Sequence, residues 1–454
     1  MLKNKKLFYE IINNNNKYVF YKKKFSFDII KNRIEEKFKL IKGTKRGVVI
    51  LDTLDKMKFI TRFYSCNKAG LIIFISNSKS LKDIKKEKIK INYIFRNDKL
   101  VKISNSKNKL PKDLAIILKT SGSTNIPKYV YLTNSNISFI ASEMNKEMFK
   151  KDKKYNELIF APIDHAFALG RIHSLIKSKH SMTLVDDLTF NNFYKTYNVG
   201  GCNSISIPAK LFKNIIEIDF KNFKTKMNNL EYAQISTGYF PKLLRKKILD
   251  IDVNLFINYG MTEAMRASFL NCKKYPNKIH TEGKPFDGVR IKILKNFKKN
   301  FGKVLVKGKN LALGYSDSKL WKSQLIKGWF KTGDLGLLDK SGFFVFHGRD
   351  IDNINVNGIN YDLKIIEENI KNYFNIPNIK IINLSSKIND FDPKLYLFLN
   401  KKLKSQSIYS YLRRKNINIA FQDIFITNKF IINKTGKIDV NNLMKKIKIN
   451  EKKQ

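Results

Sequence analysis

An α/β fold, with a large N-terminal domain followed by a small α+β module, is what this sequence predicts, and three observations predict it. Residues 48–51 (Val-Val-Ile-Leu) and 71–75 (Leu-Ile-Ile-Phe-Ile) are short apolar runs, with helical spacing over 57–68 between them. Strand, helix, strand in that order marks a parallel layer. A further apolar run at 114–118 is followed, across a loop at 120–128, by the strand-like residues 129–133, and the alternation continues to about residue 347. Past that point the character changes. Leu363, Ile366, Ile370 and Phe374 recur at spacings of three and four, 380–384 and 395–399 read as strands, and 407–415 reads as a helix. We therefore expect a large domain over 1–348 and a small one over 349–454.

The 454 residues suffice for two or three domains with a substantial core, and 43% of them are hydrophobic. The asparagine run at 13–16 reads as a solvated loop. No apolar run is long enough for a signal-peptide core or a membrane span; the longest, 69–75, is far too short. The formal net charge of +50 raises a nucleic-acid or polyanion reading. Against it, only 11 of the 88 basic residues are arginine, and the lysines are spread along the chain rather than gathered in a stripe. Base readout and bidentate phosphate recognition favour arginine, so we expect no specific nucleic-acid partner. Cys66, Cys202 and Cys272 form no C-x-x-C pair, which argues against a zinc site or disulfide framework and suits a reducing, cytoplasmic setting.

The loop at 120–128, Thr-Ser-Gly-Ser-Thr-Asn-Ile-Pro-Lys, is the most informative stretch. Its hydroxyls, glycine and terminal cation can wrap a polyphosphate with backbone N–H groups, O–H donors and an ammonium. It joins two strands, and the strand-to-helix G-x-x-x-x-G-K-[ST] pattern is absent.

The loop resembles the phosphate loop of the adenylate-forming enzymes, which include acyl- and aryl-CoA ligases, luciferases and peptide-synthetase adenylation domains. Further blocks follow in that family's order. They are Asn258-Tyr259-Gly260-Met261-Thr262-Glu263, then 302–315 (GKVLVKGKNLALGY), then 328–334 (GWFKTGD). Gly348-Arg349-Asp350 through Gly358 comes next, and 433–439 (NKTGKID) is last. The resemblance covers 120–439 and implies stacked sheets in the large domain, with a mobile lid as the small one. Ser65 to Gly70 resembles an early family block, and the leader before it is shorter than in most relatives. No carrier-protein segment follows residue 439.

The resemblance also implies the site. Thr120, Ser121, Gly122, Ser123, Thr124 and Lys128 would hold the phosphates of ATP. Thr262 would reach the α-phosphate, and Glu263 would be the oxygen ligand for Mg²⁺, which prefers such hard donors. Tyr259 would stack on adenine beside the backbone of Gly238. Asp334 would bind the two ribose hydroxyls, with Arg349 as the second ribose contact. Lys437 would reach the α-phosphate and the acyl carboxylate, then leave with the lid. His165, in Pro162-Ile163-Asp164-His165, resembles the block lining the acyl pocket of CoA ligases.

The activity so implied is AMP-forming ligation. A fatty or aromatic carboxylic acid becomes an acyl-adenylate, then passes to a thiol of CoA or of the phosphopantetheine arm of a separate carrier protein. Asp164 keeps a second reading open, amino-acid adenylation for a separate carrier, because amino-acid-activating relatives place an aspartate nearby to hold the ammonium. A non-catalytic polyanion-binding protein is the alternative from a different class. Four positions depart from the family pattern. Asn125 and Tyr129 stand where relatives have glycine, Ile351 where they have a polar hinge residue, and Asn360 where they have an acceptor-binding arginine.

Overall fold

The computed structural model describes residues 6–10, 18–75, 87–106, 110–120, 128–163, 165–185, 187–295, 300–349, 353–356, 359–384, 394–432 and 438–451. Two compact units emerge. The first comprises Met1–Lys292, Leu305–Phe330 and Leu338–Val345; the second comprises Ile293–Val304, Lys331–Leu337 and Phe346–Gln454.

Among its described residues the first unit contains two large sheets. One has seven strands, in the order Gly314–Tyr315, Lys128–Leu132, Ile116–Thr120, Ile72–Ile75, Val48–Leu51, Tyr93–Arg96, Lys99–Lys102. Its central strands are parallel, as the strand–helix–strand pattern predicts, and the intervening helix runs Lys56–Ala69. Asp55 caps that helix by accepting from Lys58 N–H, and Gly70 ends it with a left-handed φ of +79°. Val48, Ile50, Ile72, Phe74 and Ile117 form one face of the core.

Tyr129 belongs to that same cluster and is only 4% exposed. Its hydroxyl donates to Glu87 Oε2 at 2.6 Å and accepts from Lys88 N–H at 3.2 Å. Where the family pattern has a glycine, this chain places a core aromatic whose polar tip is satisfied.

The other sheet has nine strands, in the order Lys284–Pro285, Ser268–Asn271, Asn254–Tyr259, Tyr232–Ser236, Ser204–Pro208, Asn156–Ile159, Ser181–Leu184, Tyr18–Tyr21, Lys23–Ser26. Asn254–Tyr259, Tyr232–Ser236, Ser204–Pro208 and Asn156–Ile159 run parallel to one another. Their carboxyl ends therefore open at one edge, which is where parallel α/β sheets present ligand sites. A large apolar cluster, including Phe193, Phe212, Phe223, Ile235 and Ile257, packs the helices against this sheet.

In the second unit Leu363–Phe374 is a helix that buries Leu363, Ile366 and Ile370, the positions spaced by threes and fours. Ile379–Asn383 and Leu395–Leu399 pair antiparallel, Asp423–Ile426 adds a parallel strand, and Ser405–Arg414 is the following helix. No helix among the described residues is long and apolar enough to cross a membrane. The three cysteines are buried and free.

Candidate active site

The parallel strands of the nine-stranded sheet carry three of the sequence blocks to their common edge. Asn156–Ile159 leads into Pro162 and His165, Tyr232–Ser236 into Thr237 and Gly238, and Asn254–Tyr259 into the block ending at Glu263. Ile235 and Ile257 are in register on neighbouring strands, so Gly238 and Tyr259 issue side by side. Thr237 between them has φ +64°, a conformation costly for a β-branched residue and of the kind that collects at functional sites.

Asn258 is 3% exposed, and neither atom of its carboxamide has a hydrogen-bond partner among the described residues. An unsatisfied buried amide costs about 1–3 kcal/mol and invites a ligand edge with both a donor and an acceptor. An adenine edge supplies both. Tyr259 beside it is 8% exposed, its ring 4.6 Å from that of Phe344.

Glu263 is half-buried. Its Oε1 accepts from the hydroxyl of Tyr315 at 2.7 Å, and its other oxygen has no hydrogen-bond partner among the described residues. Tyr315 is held by the two-residue strand Gly314–Tyr315, which pairs antiparallel with Val130 and Tyr131. Those residues share the strand Lys128–Leu132 with Lys128, whose ammonium lies 5.3 Å from the centre of the Tyr315 ring. One tyrosine thus links Lys128, the cation at the end of the expected phosphate loop, to Glu263, the carboxylate expected to hold the metal. Burial first, then the neighbouring Glu263 charge, holds the Tyr315 hydroxyl well above its ordinary pKa, so it remains a donor.

Thr120 and Lys128, the described ends of the loop, are paired across neighbouring strands. Ser121, Gly122, Ser123, Thr124 and Asn125 lie outside the described residues, as do Asp164, Ile351 and Lys437. Ile432 and Ile438, on either side of the block that carries Lys437, form an antiparallel bridge. Asn360 is described in its backbone alone.

Asp334 and Arg349 meet within the second unit. Arg349 Nε lies 2.9 Å from Asp334 Oδ1, with the carboxylate 3% exposed and the guanidinium 43%. The Asp334 N–H donates to Thr332 Oγ1 at 3.1 Å within the strand Trp329–Leu338, where Gly333 has a left-handed φ of +75°. His165 caps the helix Ala166–Lys177, its Nδ1 accepting from Phe167 N–H at 3.3 Å. That nitrogen is therefore unprotonated. Thr262 is half-buried.

Sequence reasoning passed over Tyr315 and Arg266. Tyr315 was quoted only as the last letter of a block; its pairing with Glu263 spans 52 residues. Arg266 is 4% exposed, has φ +39° and has a pKa pulled down to about 9, first by burial and then by Arg171. Gly260 is required by that backbone, because a Cβ there would come within 2.5 Å of Arg266 N.

Among the described residues no group of three or more His, Cys, Asp or Glu side chains could hold a metal ion. A single carboxylate with a free oxygen still fits Mg²⁺, which keeps much of its coordination for phosphates and water.

The family model described as AMP-binding enzyme matches residues 48–316. A 2-succinylbenzoate–CoA ligase of Lactococcus lactis is 27% identical over 328 residues, covering 72% of this chain and 69% of that protein. Among solved structures, the O-succinylbenzoate coenzyme A synthetase of Bacillus subtilis with ATP and magnesium superposes with a TM-score of 0.75 at 18% identity. That match covers 97% of this chain and 99% of the other. ATP-bound MatB from Rhodopseudomonas palustris gives 0.79 at 16% identity, covering 97% and 98%. At such identities the structural likeness establishes the fold alone. The family model spans more than half of the chain, with the ordered blocks inside and beyond it, and on that ground the chain belongs to the AMP-binding enzyme family, the adenylate-forming enzymes.

Proposed function

We propose that the protein is an AMP-forming acid–thiol ligase. It joins a small organic carboxylic acid to AMP and then passes the acyl group to the thiol of CoA. The observation that carries the reading is the Lys128–Tyr315–Glu263 cluster at the mouth of the phosphate loop, within a chain that keeps the family's blocks in order.

In the first half-reaction an acid carboxylate oxygen bonds to the α-phosphorus of ATP while the bond to the bridging oxygen breaks and pyrophosphate leaves. Little covalent chemistry falls to the protein, so positioning and charge stabilisation dominate. Lys128, Thr120 and the loop between them would hold the phosphates, with Thr262 at the α-phosphate. Magnesium held at Glu263 would neutralise phosphate charge. Tyr315 keeps that carboxylate oriented. Tyr259, Asn258 and the Gly238 backbone would hold adenine, and Asp334 with Arg349 the ribose. Lys437, on a mobile domain over 349–454, would supply charge at the α-phosphate and then withdraw. In the second half-reaction the thiol sulfur attacks the acyl carbon, and AMP departs with the bonding pair.

The name of the Lactococcus relative makes 2-succinylbenzoate the first acid to try. The test is acid-dependent exchange of pyrophosphate into ATP over a panel of fatty, aromatic, amino and dicarboxylic acids. Exchange with none of them would overturn the reading, whereas exchange driven by an amino acid but not its des-amino analogue would select amino-acid activation. Supplying CoA or a pantetheinylated carrier protein in turn identifies the acceptor. A cytoplasmic setting fits the three free cysteines.

A further inference from the structure

Among the described residues, the floor of the Pro162–His165 edge contains two buried guanidiniums and one buried carboxylate. Arg171 and Glu157 are both fully buried and paired, with Arg171 Nε donating to Glu157 Oε1 at 2.9 Å. Glu157 is further occupied by Ser206 Oγ and the Tyr232 hydroxyl, each at 2.5 Å. Arg266 is the second buried guanidinium there, and no described carboxylate lies within ion-pair reach of it. Its Nη2 donates to the Phe167 carbonyl at 2.8 Å, its plane lies over the Phe167 ring, and its Nε has no partner among the described residues. An uncompensated buried cation is among the costlier things a fold can contain.

The backbone is shaped to keep it. A Cβ at Gly170 would collide with Arg266 Nη1, a Cβ at Gly260 would collide with Arg266 N, and Arg266 itself adopts a left-handed φ. Gly170 on the neighbouring helix thus leaves room for the guanidinium, and Gly260 accommodates the left-handed backbone that carries it. It sits three residues after Glu263 and against the first turn of the helix that His165 caps, so it borders the place where an acid must lie to reach the α-phosphate.

We propose that Arg266 is a specificity residue of the acyl site, and that it selects acids carrying a second carboxylate, which becomes its counter-charge. The reacting carboxylate faces the nucleotide, and the second one lies against Arg266 at the Phe167 end. This deepens the acid-ligase reading and rests on it. A monocarboxylic acid of the same shape would leave the guanidinium buried and unpaired. Sites built to pair with a substrate group reject analogues that lack it far more strongly than apolar pockets reject a missing methylene.

The test uses the whole chain and a matched pair of probes, 2-succinylbenzoate and benzoylpropionate, which differ by the ring carboxylate alone. Titration calorimetry on the wild type is expected to give a dissociation constant about 100-fold lower for the diacid. Arg266→Met is expected to bring the two within about threefold, and Arg266→Lys, which keeps the charge but not the fork, to retain part of the preference. A circular-dichroism melt of each variant shows that it folds. Equal binding of the two acids by the wild type overturns the proposal without any variant, and so does a preference that survives in Arg266→Met. Pyrophosphate exchange separates the two readings. Selective binding with no exchange for any acid sinks the ligase assignment and leaves Arg266 standing, whereas exchange with no preference for the diacid sinks this inference alone.

Discussion

The hydroxyl of Tyr315 donates to Glu263 Oε1 across 2.7 Å, and the same ring lies 5.3 Å from the Lys128 ammonium. The tyrosine orients the carboxylate with one end and supports the loop cation with its face. Tyr315→Phe keeps the ring and removes the donor. A hydrogen bond to a charged group contributes about 1.5–3 kcal/mol, so kcat/KM for MgATP in the exchange assay is expected to fall about 10- to 100-fold. The magnesium concentration for half-activity should rise with it. An unchanged magnesium requirement would show that Glu263 needs no such support.

His165 caps a helix and, on the proposed reading, also borders the acyl site, so His165→Ala conflates two losses. Removing an N-cap costs about 0.5–2 kcal/mol. His165→Asn restores a capping oxygen and is expected to melt within a degree or two of the wild type, while His165→Ala melts several degrees lower. Any rise in acid KM shared by both variants then belongs to the pocket. A rise in the alanine variant alone would reduce His165 to a cap.

Arg266 predicts an unusual pH response. Its folded pKa, about 9, lies below an arginine's ordinary value, so the native state binds this proton less tightly than the unfolded chain. The charged group therefore costs stability at every pH below about 9, and the cost fades as pH climbs from there towards the ordinary value. Arg266→Met is expected to be more stable than the wild type near neutrality, by about 1–3 kcal/mol. The gap should narrow above about pH 9. Paired thermal melts at neutral and alkaline pH read it directly, and a less stable methionine variant at neutrality would contradict the burial argument.

Lys437 and Asp334 should divide the two half-reactions. Lys437→Ala is expected to lose adenylation by roughly two to three orders of magnitude, as for other transition-state donors, while thioester formation from supplied acyl-adenylate survives. Asp334→Ala is expected to raise the KM for ATP through the ribose. Rapid-quench measurement of each half-reaction checks both, and equal slowing of the two steps by Lys437→Ala would remove the case for a withdrawing lid.

Much of this was legible in the chain because short-range chemistry wrote it. The helix Leu363–Phe374 announces itself through its buried Leu363, Ile366 and Ile370, and the strand Leu395–Leu399 through five apolar residues in a row. Thr120, Lys128, Glu263 and Asp334 sit in blocks whose spacing is local. What escaped was set by distance along the chain. Tyr129 looked like a misfit in the phosphate loop until its ring was found on Phe74 and its hydroxyl on Glu87, 42 residues away. The charge imbalance around Arg266 depends on Glu157 being taken by Arg171, a pairing that strand order creates and that periodicity does not record. The order of the nine-stranded sheet, with Ser181–Leu184 outside Asn156–Ile159, is likewise a matter of crossovers.

The two-residue strand Gly314–Tyr315 has a consequence for how this chain can vary. Side chains alternate faces along a strand, so a shift of one residue would turn Tyr315 to the opposite side of its sheet and take its hydroxyl from Glu263. The segment before it is pinned upstream, where the Asn136 amide donates to the carbonyls of Lys309 and Leu311 at 3.0 and 2.8 Å. Between that anchor and the tyrosine the number of residues is fixed even where their identities are free. Substitutions at Ala312 or Leu313 leave the count intact, but a single-residue insertion or deletion there would uncouple the Glu263 carboxylate from Lys128 without touching either.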